Sequence, residues 1–295
     1  MKIVMIHGIG QTYLGGPQIL SKWVPALLSG LVEAGGPRIS EQDCTAVGYG
    51  AIFRPRGQRG IVEATAQNLE AWEQDMLVEW WREATRLSEL NRPANDKTGE
   101  DPTLQGPSFK GRARVPKVAQ RALEQVARSR FFRAIGTPDL VLRFLRQVRL
   151  FLNDAEIKSA ILARVNATVT PATRVLIGHS LGTIVAYEAL CSNPDWRVHT
   201  LLTLGSPLAV PELVFDRLTP RPQNGCGVWP NVQHWINIAD DGDIVALVKA
   251  LAPYFPVPTN ASLTDFIVYN GWASHSAERY LSTREAGQAV ATALA

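Results

Sequence analysis

Apolar residues occur in two patterns along the chain, as short runs near both ends and as long helical stripes between them. Residues 3–6 form a short apolar run that ends in His7-Gly8-Ile9-Gly10-Gln11-Thr12, which predicts a buried strand feeding a tight loop. A helix is expected over 17–34. Leu20, Trp23, Val24, Leu27, Leu28 and Leu31 keep helical spacing there, Pro17 suits the first turn, and Gly35-Gly36-Pro37 stops it. Residues 44–49 read as a second strand, and further strands are expected at 174–177, 200–204, 234–239 and 264–269. Each is followed by a loop or a helix, so the natural architecture is α/β, with a mostly parallel sheet flanked by helices.

Between these parts, residues 54–169 lose the strand pattern. Leu69, Trp72, Met76, Leu77, Trp80, Ala84 and Leu87 share one helical face. Val118, Ala122, Leu123, Val126 and Ala127 make a second stripe, and a third helix from Pro138 carries Leu140, Val141, Phe144, Leu145, Val148 and Leu152. Residues 91–116, rich in Pro, Gly, Asp, Lys and Ser, read as a mobile loop. The expected organisation is therefore a core of 1–53 and 170–295 interrupted by a helical cap over 54–169.

Composition narrows the class. With 295 residues, 46% of them hydrophobic and 19% charged, the chain can bury a large core and is neither fibrous nor broadly disordered. Cys44, Cys191 and Cys226 are too few and too scattered for a disulfide framework, and no Cys-x-x-Cys pair suggests zinc or redox chemistry. The first apolar run is too short for a signal peptide, and no run of about 18 apolar residues could cross a membrane. A cytoplasmic protein is expected. The net charge of +3 gives no reason to expect nucleic acid, but it is unevenly spread. Residues 107–149 hold eleven basic side chains against Glu124 and Asp139, a charge of +9 that leaves −6 for the rest. Such a segment could touch an anionic membrane surface peripherally. The simpler reading is a solvated face that pairs with the acidic stretch Glu70, Glu73, Asp75, Glu79 and Glu83.

The chemistry-bearing motif is Gly178-His179-Ser180-Leu181-Gly182, set between the apolar strand at 175–177 and a helix-like run at 183–190. A serine on a sharp strand-to-helix turn projects its oxygen from the sheet edge, and the helix start behind it offers backbone N–H groups to an oxyanion. The pentapeptide, the His7-Gly8 loop and Leu204-Gly205-Ser206-Pro207 together resemble the lipase and esterase branch of the α/β-hydrolases. The resemblance covers residues 1–50 and 170–295 and leaves out the insertion.

That resemblance implies a serine nucleophile, then an acid, then a histidine in chain order. Ser180 is the expected nucleophile. His275, in Gly271-Trp272-Ala273-Ser274-His275-Ser276, is the histidine that follows the last strand and precedes the closing helix. Asp243 is the preferred acid because Asp243-Ile244-Val245 resembles the Asp-x-Val segment of lipase-like members; Asp240 is the alternative, and Asp240 or Asp241 could instead cap the turn. The oxyanion donors implied are the N–H of Leu181 and that of Ile9 or Gly10. The expected activity is hydrolysis of a small-molecule or lipid-like carboxylic ester through an acyl-enzyme, without cofactor or metal. A thioesterase or an acyltransferase or cyclase would use the same three residues, and a non-catalytic binding protein would have no need of them.

Overall fold

The computed structural model describes residues 2–9, 11, 13–54, 71–78, 82 and 138–295. Six strands form one sheet: β1 (Ile3–Ile6), β2 (Cys44–Val47), β3 (Val175–His179), β4 (Thr200–Leu204), β5 (His234–Asp240) and β6 (Ser262–Val268). Their order is β2-β1-β3-β4-β5-β6, and every neighbouring pair is parallel. The helices are α1 (Gly16–Glu33), α2 (Pro138–Asn153), α3 (Ala155–Thr168), α4 (Leu181–Ser192), α5 (Ala277–Leu281) and α6 (Arg284–Leu294).

The period of two along each strand explains the two layers of helices. Ile3, Met5, Val175 and Ile177 point to one core, shared with Trp23 and Leu27 of α1, Tyr280 of α5 and Val290 of α6. Val4, Ile6 and Leu176 point to the other, shared with Ile161 and Val165 of α3 and Ile184 of α4. A strand covered on both faces is apolar along most of its length, which is why β1 and β3 are fully buried runs rather than alternating ones.

Strand ends differ from the sequence reading by at most two residues. β3 continues to His179 because Gly178 and His179 pair with Thr203 and Leu204, and β2 stops at Val47, where its pairing with Ile6 ends. Helix α3 has no stripe of its own in that reading. Asp154 starts it by accepting the N–H groups of Glu156 and Ile157, both at 3.0 Å. The chain must pass β1 on its way from β2 to β3, and α3 lies on that route, packed against α4 and β2.

Within 54–169, residues 71–78 are helical, with Met76 and Leu77 buried and Trp72 half-buried, and α2 buries Leu142, Leu145, Val148 and Phe151. The buried carboxylate of Glu73 accepts from Arg149 Nε at 3.1 Å and from Arg146 Nε at 3.4 Å. Two cations of the +9 segment thus pair with the acidic stretch. Trp72 Nε1 donates to the Leu213 carbonyl at 3.3 Å, which joins the insertion to the segment after β4. The loop 91–116, the stripe 118–127, Leu69, Trp80, Ala84 and Leu87 lie outside the described residues. Among the described residues, no helix is long and apolar enough to cross a membrane.

Removing the Glu73 carboxylate takes a buried charged acceptor from two guanidinium groups, although both arginines keep about a fifth of their side chain in solvent. Glu73→Ala is expected to lower unfolding stability by about 2 kcal/mol in urea titrations, and Glu73→Gln, which retains an acceptor, to recover part of it.

Candidate active site

Ser180 occupies the turn between β3 and α4, with φ 57° and ψ −126°. A non-glycine residue seldom adopts a positive φ, so the surroundings must hold it there. The Ser180 N–H donates to Leu204 O at 3.0 Å, and its carbonyl accepts from Thr183 N at 2.9 Å and Thr183 Oγ1 at 2.7 Å. Thr183 Oγ1 in turn lies 2.9 Å from Ser206 Oγ, which accepts from Leu208 N at 3.2 Å. Helix α4 can start this close to β1 only because residue 182 is glycine. A Cβ there would lie 2.1 Å from Ile6 O and 2.7 Å from His7 O.

The two proposed partners of Ser180 arrive from the carboxyl ends of β5 and β6. His275 Nδ1 and Asp243 Oδ2 are 2.7 Å apart, and Asp243 is fully buried. Asp243 Oδ1 accepts from Val245 N at 2.9 Å, and Oδ2 also accepts from Tyr280 Oη at 2.8 Å. Lys249 Nζ donates to the Asp243 carbonyl at 2.5 Å. Burial works against the charge of Asp243, but His275, Lys249 and the Tyr280 hydroxyl outweigh it and hold the carboxyl below its ordinary value. An ionised carboxylate only accepts, so His275 carries its proton on Nδ1 and leaves Nε2 as the basic nitrogen.

Asp240 is turned to other work. Its Oδ1 accepts from Gly242 N at 2.7 Å and its Oδ2 from Asn270 N, so it ties the turn after β5 to the loop after β6. Asp241 is exposed. Gly205 lies directly against the Asp243 and His275 pair: a Cβ there would be 2.7 Å from Asp243 Oδ2 and 3.0 Å from His275 Nδ1, and φ is +55°. Glycine therefore meets both the backbone and the space requirement.

The loop after β1 reaches the same place. A Cβ on Gly8 would lie 2.7 Å from Ser180 Cβ, so Ile9 follows immediately beside the turn, half-buried. Gly10 lies outside the described residues, and Leu181 opens α4 with its side chain buried. Ser180 Oγ is buried and has no hydrogen-bond partner among the described residues. No group of three His, Cys, Asp or Glu side chains among them converges on a metal position.

Three further residues shape the site through contacts that have no sequence signal. Tyr280 Oη, besides donating to Asp243, accepts from Asp240 N at 2.8 Å; burial and the Asp243 charge push its phenol up, so it stays a donor. His179 donates from Nε2 to the His275 carbonyl at 2.9 Å, with ring centroids 4.7 Å apart. His7 stacks on Tyr49 at 4.0 Å, donates from Nδ1 to Gly8 O at 2.6 Å and accepts from Tyr49 N at 3.4 Å. Burial lowers His7 to about 4, partly offset by its bond to Gly8. Burial and then the neighbouring His275 lower His179 to about 3. Both are neutral near pH 7.

Parallel strands, helices on both faces and a strained serine between β3 and α4, with a buried Asp and His pair beside it, form one recognisable frame. A family model described as "PGAP1-like alpha/beta domain" matches residues 143–248, which contain Ser180 and Asp243. The chain has the α/β-hydrolase fold. No curated protein and no solved structure matches the chain. The match ends before His275 and begins after the His7-Gly8 loop, so those parts of the hydrolase frame rest on the sheet topology and the contacts above.

The neutral imidazoles give the fold a defined acid response. In the unfolded chain both would gain a proton below about pH 6.5, whereas in the fold they hold out to about 4 and about 3. Over that window the unfolded chain binds more protons, so stability falls as pH falls, and the lowered carboxyl of Asp243 adds a further loss once the unfolded carboxyl titrates. The urea midpoint is expected to drop from about pH 7 to about pH 4.5, less steeply in His7→Asn than in the parent; equal midpoints at the two pH values would contradict the burial of neutral histidines.

Proposed function

We propose that the protein is a serine hydrolase that cleaves a carboxylic ester through an acyl-enzyme intermediate. The observation that carries this reading is the buried 2.7 Å contact between His275 Nδ1 and Asp243 Oδ2 beside the strained Ser180 turn. Ser180 Oγ attacks the ester carbonyl while His275 Nε2 takes its proton. The imidazolium then gives that proton to the leaving alcohol, and water repeats the sequence on the acyl group. Asp243 stabilises the positive charge on His275 in both halves, and Tyr280 fixes the carboxylate. The N–H of Leu181 and one from the Ile9 and Gly10 turn receive the oxyanion.

Support for a substrate with an apolar acyl part comes from the insertion. Its helical residues 71–78 bond through Trp72 to Leu213, in the segment that leaves the carboxyl end of β4, whose Leu204 carbonyl accepts from Ser180 N. We place the helical insertion as a cap over that edge, where it would exclude water from the acyl-enzyme. A small-molecule or lipid-like ester fits such a cap better than a charged one. Peripheral contact of the basic segment with anionic lipid stays part of this proposal.

A fluorophosphonate probe is expected to label Ser180 in the folded parent and to leave Ser180→Ala unlabelled. With an ester substrate, Asp243→Asn is expected to lower kcat by about ten-thousandfold and Asp240→Asn to stay within about tenfold of the parent. Full turnover in Ser180→Ala, or equal losses for the two aspartates, would sink this mechanism. Parallel assays with a thioester and with amine or alcohol acceptors separate hydrolysis of oxygen esters from thioester cleavage and acyl transfer.

A further inference from the structure

The sheet edge opposite Ser180 carries a second concave site. A cavity of about 620 Å³ opens at the amino ends of β3 to β6, and the residues just before these four strands, Arg174, His199, Gln233 and Ala261, all line it. The five residues of β3 separate Arg174 from Ser180, six steps or about 20 Å if extended. Nothing in the proposed ester chemistry uses this place.

Its lining is chemically one-sided. Arg174 and Arg197 both face the cavity and both are exposed at the surface, while no Asp or Glu lines it. The Nε of Arg174 donates to the Ala293 carbonyl near the end of α6 at 3.3 Å, which anchors one edge of the guanidinium. His199 is held towards its neutral form by burial, by Arg174 and by His234, whose ring centroid is 4.9 Å away.

Two indoles complete the lining. Trp229 is pinned by its Nε1 bond to Val232 O at 3.0 Å, and Trp196 stands beside Arg197 in the chain; both are only half-buried, so protein leaves part of each ring uncovered. A guanidinium group matches the oxygens of a phosphate, and an uncovered indole offers an apolar face to a flat ring. The volume falls within the usual range for a small-molecule site, about 300 to 1,000 Å³. We infer that this cavity binds a phosphomonoester bearing a flat ring, of mononucleotide size, with Arg174 and Arg197 on the phosphate and Trp196 and Trp229 beside the ring.

The test is calorimetric titration of the full chain with adenosine monophosphate, adenosine and inorganic phosphate. Adenosine monophosphate is expected to bind, and the two fragments to bind at least about tenfold more weakly. Arg174→Ala and Arg197→Ala, both at exposed positions, are each expected to weaken adenosine monophosphate by about tenfold, and added salt to weaken it further. Fluorophosphonate labelling of Ser180 is expected to be unchanged in both variants, so loss at this site and loss of the proposed hydrolase chemistry are read separately. Absence of binding by adenosine monophosphate at millimolar concentration would overturn the inference, as would binding that neither arginine substitution alters. Inorganic phosphate binding as tightly as adenosine monophosphate would overturn the role of the ring.

Discussion

The close approach of α4 to the end of β1 is the constraint on which the rest of the site depends. Ile6 and His7 carbonyls press so near residue 182 that a methyl group would collide, and this fixes where the helix begins. With the helix start fixed, the serine before it has no relaxed backbone available and takes φ 57°. The hydroxyl chain from Ser206 through Thr183 to the Ser180 carbonyl then holds the turn from the β4 side. A nucleophile position is in this sense a by-product of sheet and helix packing, set by backbone atoms more than by the serine side chain.

Around that turn the protein gathers three imidazoles and one ionised carboxylate in a buried space. Charging more than one imidazole there would be costly in a poorly solvated interior. Burial keeps His7 and His179 neutral beside the contact of His275 with Asp243. His179 also holds the loop of His275 through a backbone carbonyl. The residue next to the serine therefore positions the ring that the proposed chemistry protonates.

Much of this was legible in the sequence wherever a local pattern had a local cause. Strands buried on both faces are apolar along most of their length, and β1, β3 and β4 read that way despite Thr200, Thr203 and the terminal His179. The Gly-x-Ser-x-Gly turn is short-range geometry, and so it is visible in five residues. The Asp-x-Val context points to Asp243, and it is the aspartate that meets His275, while Asp240 caps the turn. What stayed hidden depends on contacts between distant parts of the chain. Tyr280 lies 37 residues from Asp243 on a five-residue helix with no stripe to single it out. The motif says nothing about its second position, so His179 gave no hint of its bond to the His275 loop. The cavity before β3 to β6 is assembled from four separate junctions and has no linear signature.

The order in which these parts occur along the chain has a consequence for biosynthesis. The elbow serine precedes His275 by 95 residues, and Tyr280 comes later still. A ribosome would release the strands that shape the turn well before the loop and helix that supply the basic nitrogen and steady its carboxylate. On the proposed chemistry, a nascent chain would carry its nucleophile in an unactivated state. Reactivity towards esters would then switch on late, when α5 and α6 settle against α1.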